Sequence, residues 1–176
     1  MSKEVQRQEM ILKMKHFSKN SLQKNKIDTL LLEKLISTSY YHEARILATY
    51  LSMPHEFNTT PLITQAIKDK KTVVVPKTYP EGKMIFVKYD ESQLRKTSFG
   101  LLEPISNLEV DKSCIDLIHV PGIVFSPDGY RIGYGAGYFD RYLADYSGNT
   151  ISTIYSFQIQ NFQKDTFDIP IRKLLY

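Results

Sequence analysis

Three glycines, Gly133, Gly135 and Gly137, stand at every second position between an apolar run and a helical pattern. That spacing narrows the choice of fold more than any other stretch of the chain. The preceding run, residues 115–120, is short and β-branched and is bounded by Pro121 and Gly122, so it reads as a buried strand. Residues 126–129, Ser-Pro-Asp-Gly, read as a turn, because Pro127 presets φ and Gly129 accepts a positive one. A helix is expected from about Tyr138, with Leu143 on the same face. A loop without every second side chain lets backbone N–H groups converge on an anion, and a helix starting at its end adds a positive dipole. Arg131 and Arg141 flank the loop and Asp140 falls in the first helical turn. Glycine, cation and carboxylate together are what a magnesium–nucleotide site requires.

The glycines alone are also compatible with a plain hairpin joining two elements. Generic phosphate motifs do not name the loop. No lysine follows in the Walker A position, and Tyr138 stands where the dinucleotide fingerprint has its third glycine.

The rest of the chain alternates. Residues 3–17 read as an amphipathic helix with an apolar edge of Met10, Met14 and Phe17, and Lys3 and Arg7, four apart, share a face. Residues 18–26 read as a polar connection, and 27–36 as a helix burying Ile27, Leu30, Leu31 and Leu35. A strand over 44–51 follows. Thr60 reads as an N-cap, with Pro61 opening a helix to about Lys68. Residues 72–75 read as a buried strand stopped by Pro76, 84–88 as a hairpin or edge strand, 93–104 as mostly loop, and 150–155 as a strand. Such alternation predicts parallel β-α-β units, and hence an α/β fold with a mostly parallel central sheet. Glu56 lies just past the strand over 44–51, at the sheet edge where ligands bind in such folds. His55 beside it reads as an exposed loop histidine.

The 176 residues suit one domain, residues 1–176, without internal repeat or linker. At 42% hydrophobic and 24% charged the composition is that of an ordinary globule. No apolar run approaches the ~20 residues of a membrane span, and the N-terminus lacks a signal-peptide core. One cysteine, Cys114, rules out an intrachain disulfide and points to the cytoplasm. A net charge of +4 with twelve tyrosines raises the question of RNA. The lysines are dispersed, however, and no RNP or KH pattern appears, so no nucleic-acid partner is expected. A modest positive field equally draws in anionic small molecules.

Pro121-Gly-x-x-Phe125, a short turn, then Gly129-x-Arg-Ile-Gly-x-Gly-x-Gly-Tyr-Phe-Asp-Arg-x-Leu143 resembles the signature of the 5-formyltetrahydrofolate cyclo-ligases, also called 5,10-methenyltetrahydrofolate synthetases. The resemblance implies a three-layer αβα sandwich similar to the sugar-phosphate isomerase/CoA-transferase-like fold. It implies 5-formyltetrahydrofolate as substrate, ATP as co-substrate, Mg²⁺ as metal, and a monomer. ATP contacts carry over to Lys3, Arg7, Arg131, Ile132, Gly133, Tyr134, Gly135, Ala136, Gly137, Tyr138 and Phe139. Folate contacts carry over to Leu51, Glu56, Phe99 and the stretch Tyr134, Gly135, Ala136, Gly137, Tyr138. Arg131 and Tyr138 are the implied catalytic groups, and Asp140 and Asp168 the implied metal ligands. A related α/β scaffold with sugar-phosphate isomerase or acyl-CoA transferase chemistry remains the alternative, since fold alone does not fix chemistry.

Overall fold

In the computed structural model, which describes residues 1–98 and 100–176, the Ser2 hydroxyl caps the amide of Val5 and opens helix α1, Lys3–Ser18. Met10 and Met14, one turn apart, are fully buried against Ile123, Val124 and Ile132. Helix α2, Ser21–Ile36, begins six residues earlier than the apolar pattern indicates. Residues 18–26 are therefore not a polar connection. Asn20 caps the helix by accepting from the Gln23 amide, and Lys24 and Asp28 form a buried pair one turn apart at 2.6 Å. Of the apolar positions in the pattern, Leu31 and Leu35 are buried, whereas Leu30 is exposed.

The short helix α3, Ser39–Glu43, leads into strand β1, Ile46–Ala48. That strand is shorter than the 44–51 pattern. The Asp116 carboxylate accepts both the Arg45 and Ile46 amides at its start, and Thr49 makes its last ladder bond, to Val74 O. Helix α4, Thr60–Lys68, has Thr59 at its N-cap position, one residue before the expected one; the Thr59 side chain makes no capping bond, and Asn58 Oδ1 takes the Thr60 amide.

Strand β2, Thr72–Thr78, runs through Pro76 instead of stopping there. The reason is the pairing parity. Tyr89 donates to Val73 O and Tyr79 to Lys83 O, so the odd-numbered residues bond to strand β3, Met84–Lys88. Pro76 thus points its missing N–H away from β3, toward the β1 side, where pairing ends at Val74.

Strands β4, Leu94–Lys96, and β5, Leu102–Pro104, form a small antiparallel ladder where a loop was expected. Strand β6 is Leu117–His119, and the hairpin β7, Val124–Phe125, and β8, Arg131–Ile132, follows it. Helix α5, Tyr138–Leu143, starts where the glycines end. Strand β9 is Asn149–Thr153, and strand β10, Lys173–Leu175, is an addition that the sequence pattern does not announce.

The six-stranded sheet has the order β10-β9-β6-β1-β2-β3, all parallel except the edge strand β3. Its two faces alternate residue by residue. Leu47, Val73, Val75, Leu117 and Ile151 pack with Leu35 of α2, Tyr41 of α3 and Leu62 of α4. Ala48, Val74, Phe86 and Ile118 pack with Tyr142 and Leu143 of α5 on the other face. Helices on both faces of a mostly parallel sheet are the expected architecture. At the sheet centre the buried His119 ring bridges Thr49 and Thr153, at 2.9 Å to each. No described helix is long and apolar enough to cross a membrane.

Candidate active site

The strand order reverses direction between β1 and β6. From β1 the chain moves to β2 on one side and later returns to β6 on the other. Loops leaving two such strands diverge and open a crevice beyond their C-terminal ends. The loop after β1 carries Glu56, and the loop after β6 carries the hairpin and the three glycines.

Gly135 has φ +107° and Gly137 φ +71°, values that a side chain resists. The backbone amides of residues 133–137 donate no hydrogen bond among the described residues. Residues 134–136 are exposed. Arg7 of α1 reaches the loop by donating from Nε to Gly133 O at 2.7 Å, and it pairs with Glu4.

Arg131 lies beneath the loop, its side chain only 3% exposed. Its Nη1 is 3.2 Å from Asp140 Oδ1 and 3.3 Å from Ile169 O. Burial pulls the Arg131 pKa down, and the charges of Asp140 and Asp168 pull against that. Asp140 Oδ1 also accepts the Ile169 amide at 3.1 Å. Lys3 Nζ is 2.6 Å from Asp168 Oδ2 and 2.7 Å from Asp165 Oδ2. Burial lowers the Lys3 pKa, but the bonds to Asp165 and Asp168 outweigh it and the net direction is upward. Lys3, Arg7, Arg131, Asp140 and Asp168 therefore meet around one loop, although they come from both ends of the chain.

The metal-ligand expectation can be tested on the donor set. Asp140 uses only Oδ1 for its protein contacts and Asp168 only Oδ2, leaving one oxygen of each unbonded among the described residues. No group of three or more His, Cys, Asp or Glu side chains placed to hold a metal ion is found among the described residues. Two hard carboxylate oxygens suit Mg²⁺, which takes one or two carboxylates and completes its shell with phosphates and water.

On the other side of the crevice, Glu56 is only 5% exposed. Its Oε2 accepts the Met53 amide at 2.7 Å and its Oε1 the Tyr134 hydroxyl at 2.8 Å. Burial raises the Glu56 pKa, and those two bonds together with Lys24 offset the rise only in part. His55, read from sequence as exposed, is 6% exposed, with Nε2 2.9 Å from the Tyr134 hydroxyl. Burial lowers its pKa, helped by Lys15 and Lys24. Because the Tyr134 hydroxyl donates to Glu56, the His55 Nε2–H donates to Tyr134. An open cavity of about 440 Å³ borders this group, lined by Ile11, Lys15, Ser18, Met53, Pro54, His55 and Tyr134.

The remaining expected residues fall as follows. Leu51 is half-buried against the core cluster under α2, α3 and α4. Ile132 is buried under α1, and Phe139 packs edge-on against Phe86. Ala136 is exposed, and its carbonyl accepts from Arg141. The Tyr138 hydroxyl donates to Tyr79 O at 3.2 Å, in the turn between β2 and β3. Phe99 lies outside the described residues. Sequence reasoning missed the His55–Tyr134 bond and the role of Gln158. The Gln158 amide donates to Gly122 O and Ile123 O and so ties down the base of the hairpin.

Residues 1–176 match the model of the 5-formyltetrahydrofolate cyclo-ligase family. The chain belongs to this family. Among the family's curated members it is similar to the 5-formyltetrahydrofolate cyclo-ligase of Haemophilus influenzae, 24% identical over 164 residues and 88% of each chain. It is 31% identical to the mouse 5-formyltetrahydrofolate cyclo-ligase over 123 residues, which cover 65% of this chain and 61% of the mouse protein. The solved structure of the Aquifex aeolicus 5,10-methenyltetrahydrofolate synthetase superposes with a TM-score of 0.85 at 27% identity, covering 99% of this chain and 89% of that one. The Mycoplasma pneumoniae synthetase, at 22% identity and TM-score 0.82 over 99% and 98% of the two chains, shares the fold.

Proposed function

We propose that this cyclo-ligase converts 5-formyltetrahydrofolate and ATP to 5,10-methenyltetrahydrofolate, ADP and phosphate. The N5-formyl group is amide-like, so its carbon is a weak electrophile and its oxygen a poor leaving group. Transfer of the γ-phosphoryl group to that oxygen cures both defects. N10 then attacks the formyl carbon and gives up its proton, the five-membered ring closes, and the C–O bond breaks with release of phosphate, which can carry that proton away. No covalent enzyme intermediate is needed. The protein's share is positioning and neutralisation of charge.

In this reading the free amides of residues 133–137 hold the phosphates, with Arg7 and Lys3 at the loop's edge. Arg131 supplies a buried, pre-oriented positive charge beneath the transferred group, where low dielectric makes it count most. The free oxygens of Asp140 and Asp168 would hold Mg²⁺, which supplies further neutralisation of phosphate charge. Lys3 would exchange part of its contact with Asp168 for the nucleotide. Each Glu56 oxygen already accepts one bond, from Met53 or from Tyr134, and with its remaining acceptor site takes one of the pterin's N3–H and 2-amino donors, with Leu51 against the ring. Tyr138, held by Tyr79 O, borders the reacting groups from the β2–β3 side. The protein acts as a single domain, as a monomer and in the cytoplasm.

The observation that carries this reading is the run of five amides at residues 133–137 that donate no hydrogen bond among the described residues, with cations on one side and the buried Glu56 on the other. The test is the absorbance of the methenyl product, followed with 5-formyltetrahydrofolate and Mg²⁺ in the presence and absence of ATP. ATP-dependent growth of the methenyl band is expected. A flat trace with ATP present would overturn the proposal.

A further inference from the structure

The cavity beside His55 and Tyr134 adjoins the proposed pterin grip through Met53 and Tyr134, which both bond to Glu56. Its wall of Ile11, Met53 and Pro54 is apolar, and at its α1 side stands Lys15. Ile11 and Lys15 are one helical turn apart, so both face the cavity. The Lys15 ammonium makes no hydrogen bond or ion pair among the described residues. Its neighbours are differently occupied. Lys24 is bound to Asp28 at 2.6 Å, and Lys13 lies over the Phe157 ring. Lys15 and His55 line the same cavity, and after burial the Lys15 charge is the next cause of the lowered His55 pKa.

A folate has three chemical parts in a fixed order. They are a pterin with a donor edge, a flat aminobenzoyl ring, and a glutamate bearing two carboxylates. The crevice offers matching groups: the Glu56 carboxylate, bonded to Met53 and Tyr134 of the cavity lining, then the apolar Ile11, Met53 and Pro54, and the Lys15 ammonium, unpaired among the described residues. We propose that Lys15 binds the glutamyl carboxylates of the folate substrate and so sets the preference of this site for the glutamylated molecule. The proposal rests on the folate reading given above and deepens it. An exposed ammonium meeting a flexible anion contributes modestly to affinity and speeds capture. Its effect therefore belongs in the KM for folate and not in the phosphoryl-transfer step.

The test compares wild type, Lys15→Gln and Lys15→Glu on 5-formyltetrahydrofolate and on 5-formyltetrahydropteroate, which lacks the glutamate. KM for the glutamate-bearing substrate is expected to rise about fivefold in Lys15→Gln, and further in Lys15→Glu. KM for ATP should hold steady, and the three proteins should share one KM for the pteroate. An active wild type whose folate KM is unmoved by either change overturns the tail site alone. A rise of equal size with the pteroate also overturns it, because the effect would not pass through the carboxylates. A wild type inactive on both substrates overturns the folate reading and the tail site with it.

Discussion

The Tyr134 hydroxyl lies 2.8 Å from Oε1 of Glu56, and that bond joins the glycine-rich loop to the loop after β1 across the point where the strand order reverses. The residue proposed to grip the pterin is thus held by the segment proposed to hold the phosphates. Rearrangement of one loop is felt by the other.

The Glu56→Gln variant should lose folate affinity by about tenfold or more, because hydrogen bonds to a charged partner contribute about 1.5–3 kcal/mol. KM for ATP should change far less. Separate KM measurements for the two substrates check this, and an equal loss of both would remove Glu56 from the pterin site.

The same residue predicts a pH dependence. Burial holds the Glu56 pKa above the ordinary carboxylate range, and only the ionised form pairs with two pterin donors. Folate KM should therefore rise as pH falls into the mildly acidic range, earlier than for an ordinary glutamate. The Glu56→Gln variant, having no proton to gain there, should show a flat profile over the same interval.

Arg131→Ala should reduce kcat/KM by ~10²-fold, the size found for removal of a buried electrostatic contact to a transition state. Because Asp140 would lose its buried partner, a thermal melt must accompany the kinetics, and Arg131→Lys should keep the fold while recovering only part of the rate. Turnover like wild type in a folded Arg131→Ala protein would contradict the phosphate role.

Asp140→Asn retains an acceptor for the Ile169 amide but loses the charge. The Mg²⁺ concentration giving half-maximal rate should increase, and the same should hold for Asp168→Asn. A titration of rate against Mg²⁺ that overlays wild type would reject the ligand role.

His119 predicts the acid stability. Burial drops its pKa from 6.5 to about 3, so the folded state prefers the neutral ring. The unfolded chain binds the extra proton between these values. The stabilisation is therefore complete above about pH 6.5 and is lost as pH falls toward 3, with a slope of at most ~1.4 kcal/mol per pH unit from this group. Unfolding free energies measured across that range in wild type and His119→Phe should differ by this slope, the variant lacking it.

Much of this arrangement is legible in the sequence where local chemistry decides structure. The glycines at 133, 135 and 137 declare a loop because two of them adopt a backbone that other residues avoid. Pro61 and the apolar period place α4 to within a residue. What the sequence hides is set by distant partners. The polar start of α2 reads as a linker, yet Asp28 is held by Tyr155, 127 residues away. The three residues of β10 become a strand only because β9 offers an edge. His55 reads as a surface loop residue because its partner Tyr134 is 79 positions downstream. Pro76 argues against a strand unless the parity of pairing on both sides is known. The α/β architecture is thus readable from period and punctuation, while the interior of the site depends on contacts between residues far apart in the chain.

The most direct measurement is a structure of the protein with Mg²⁺ and a nonhydrolysable ATP analogue. The account predicts the triphosphate against the amides of residues 133–137, with the metal on the Asp140 and Asp168 side and the Glu56 side of the crevice free of nucleotide. A triphosphate bound elsewhere, with residues 131–140 untouched, would contradict it.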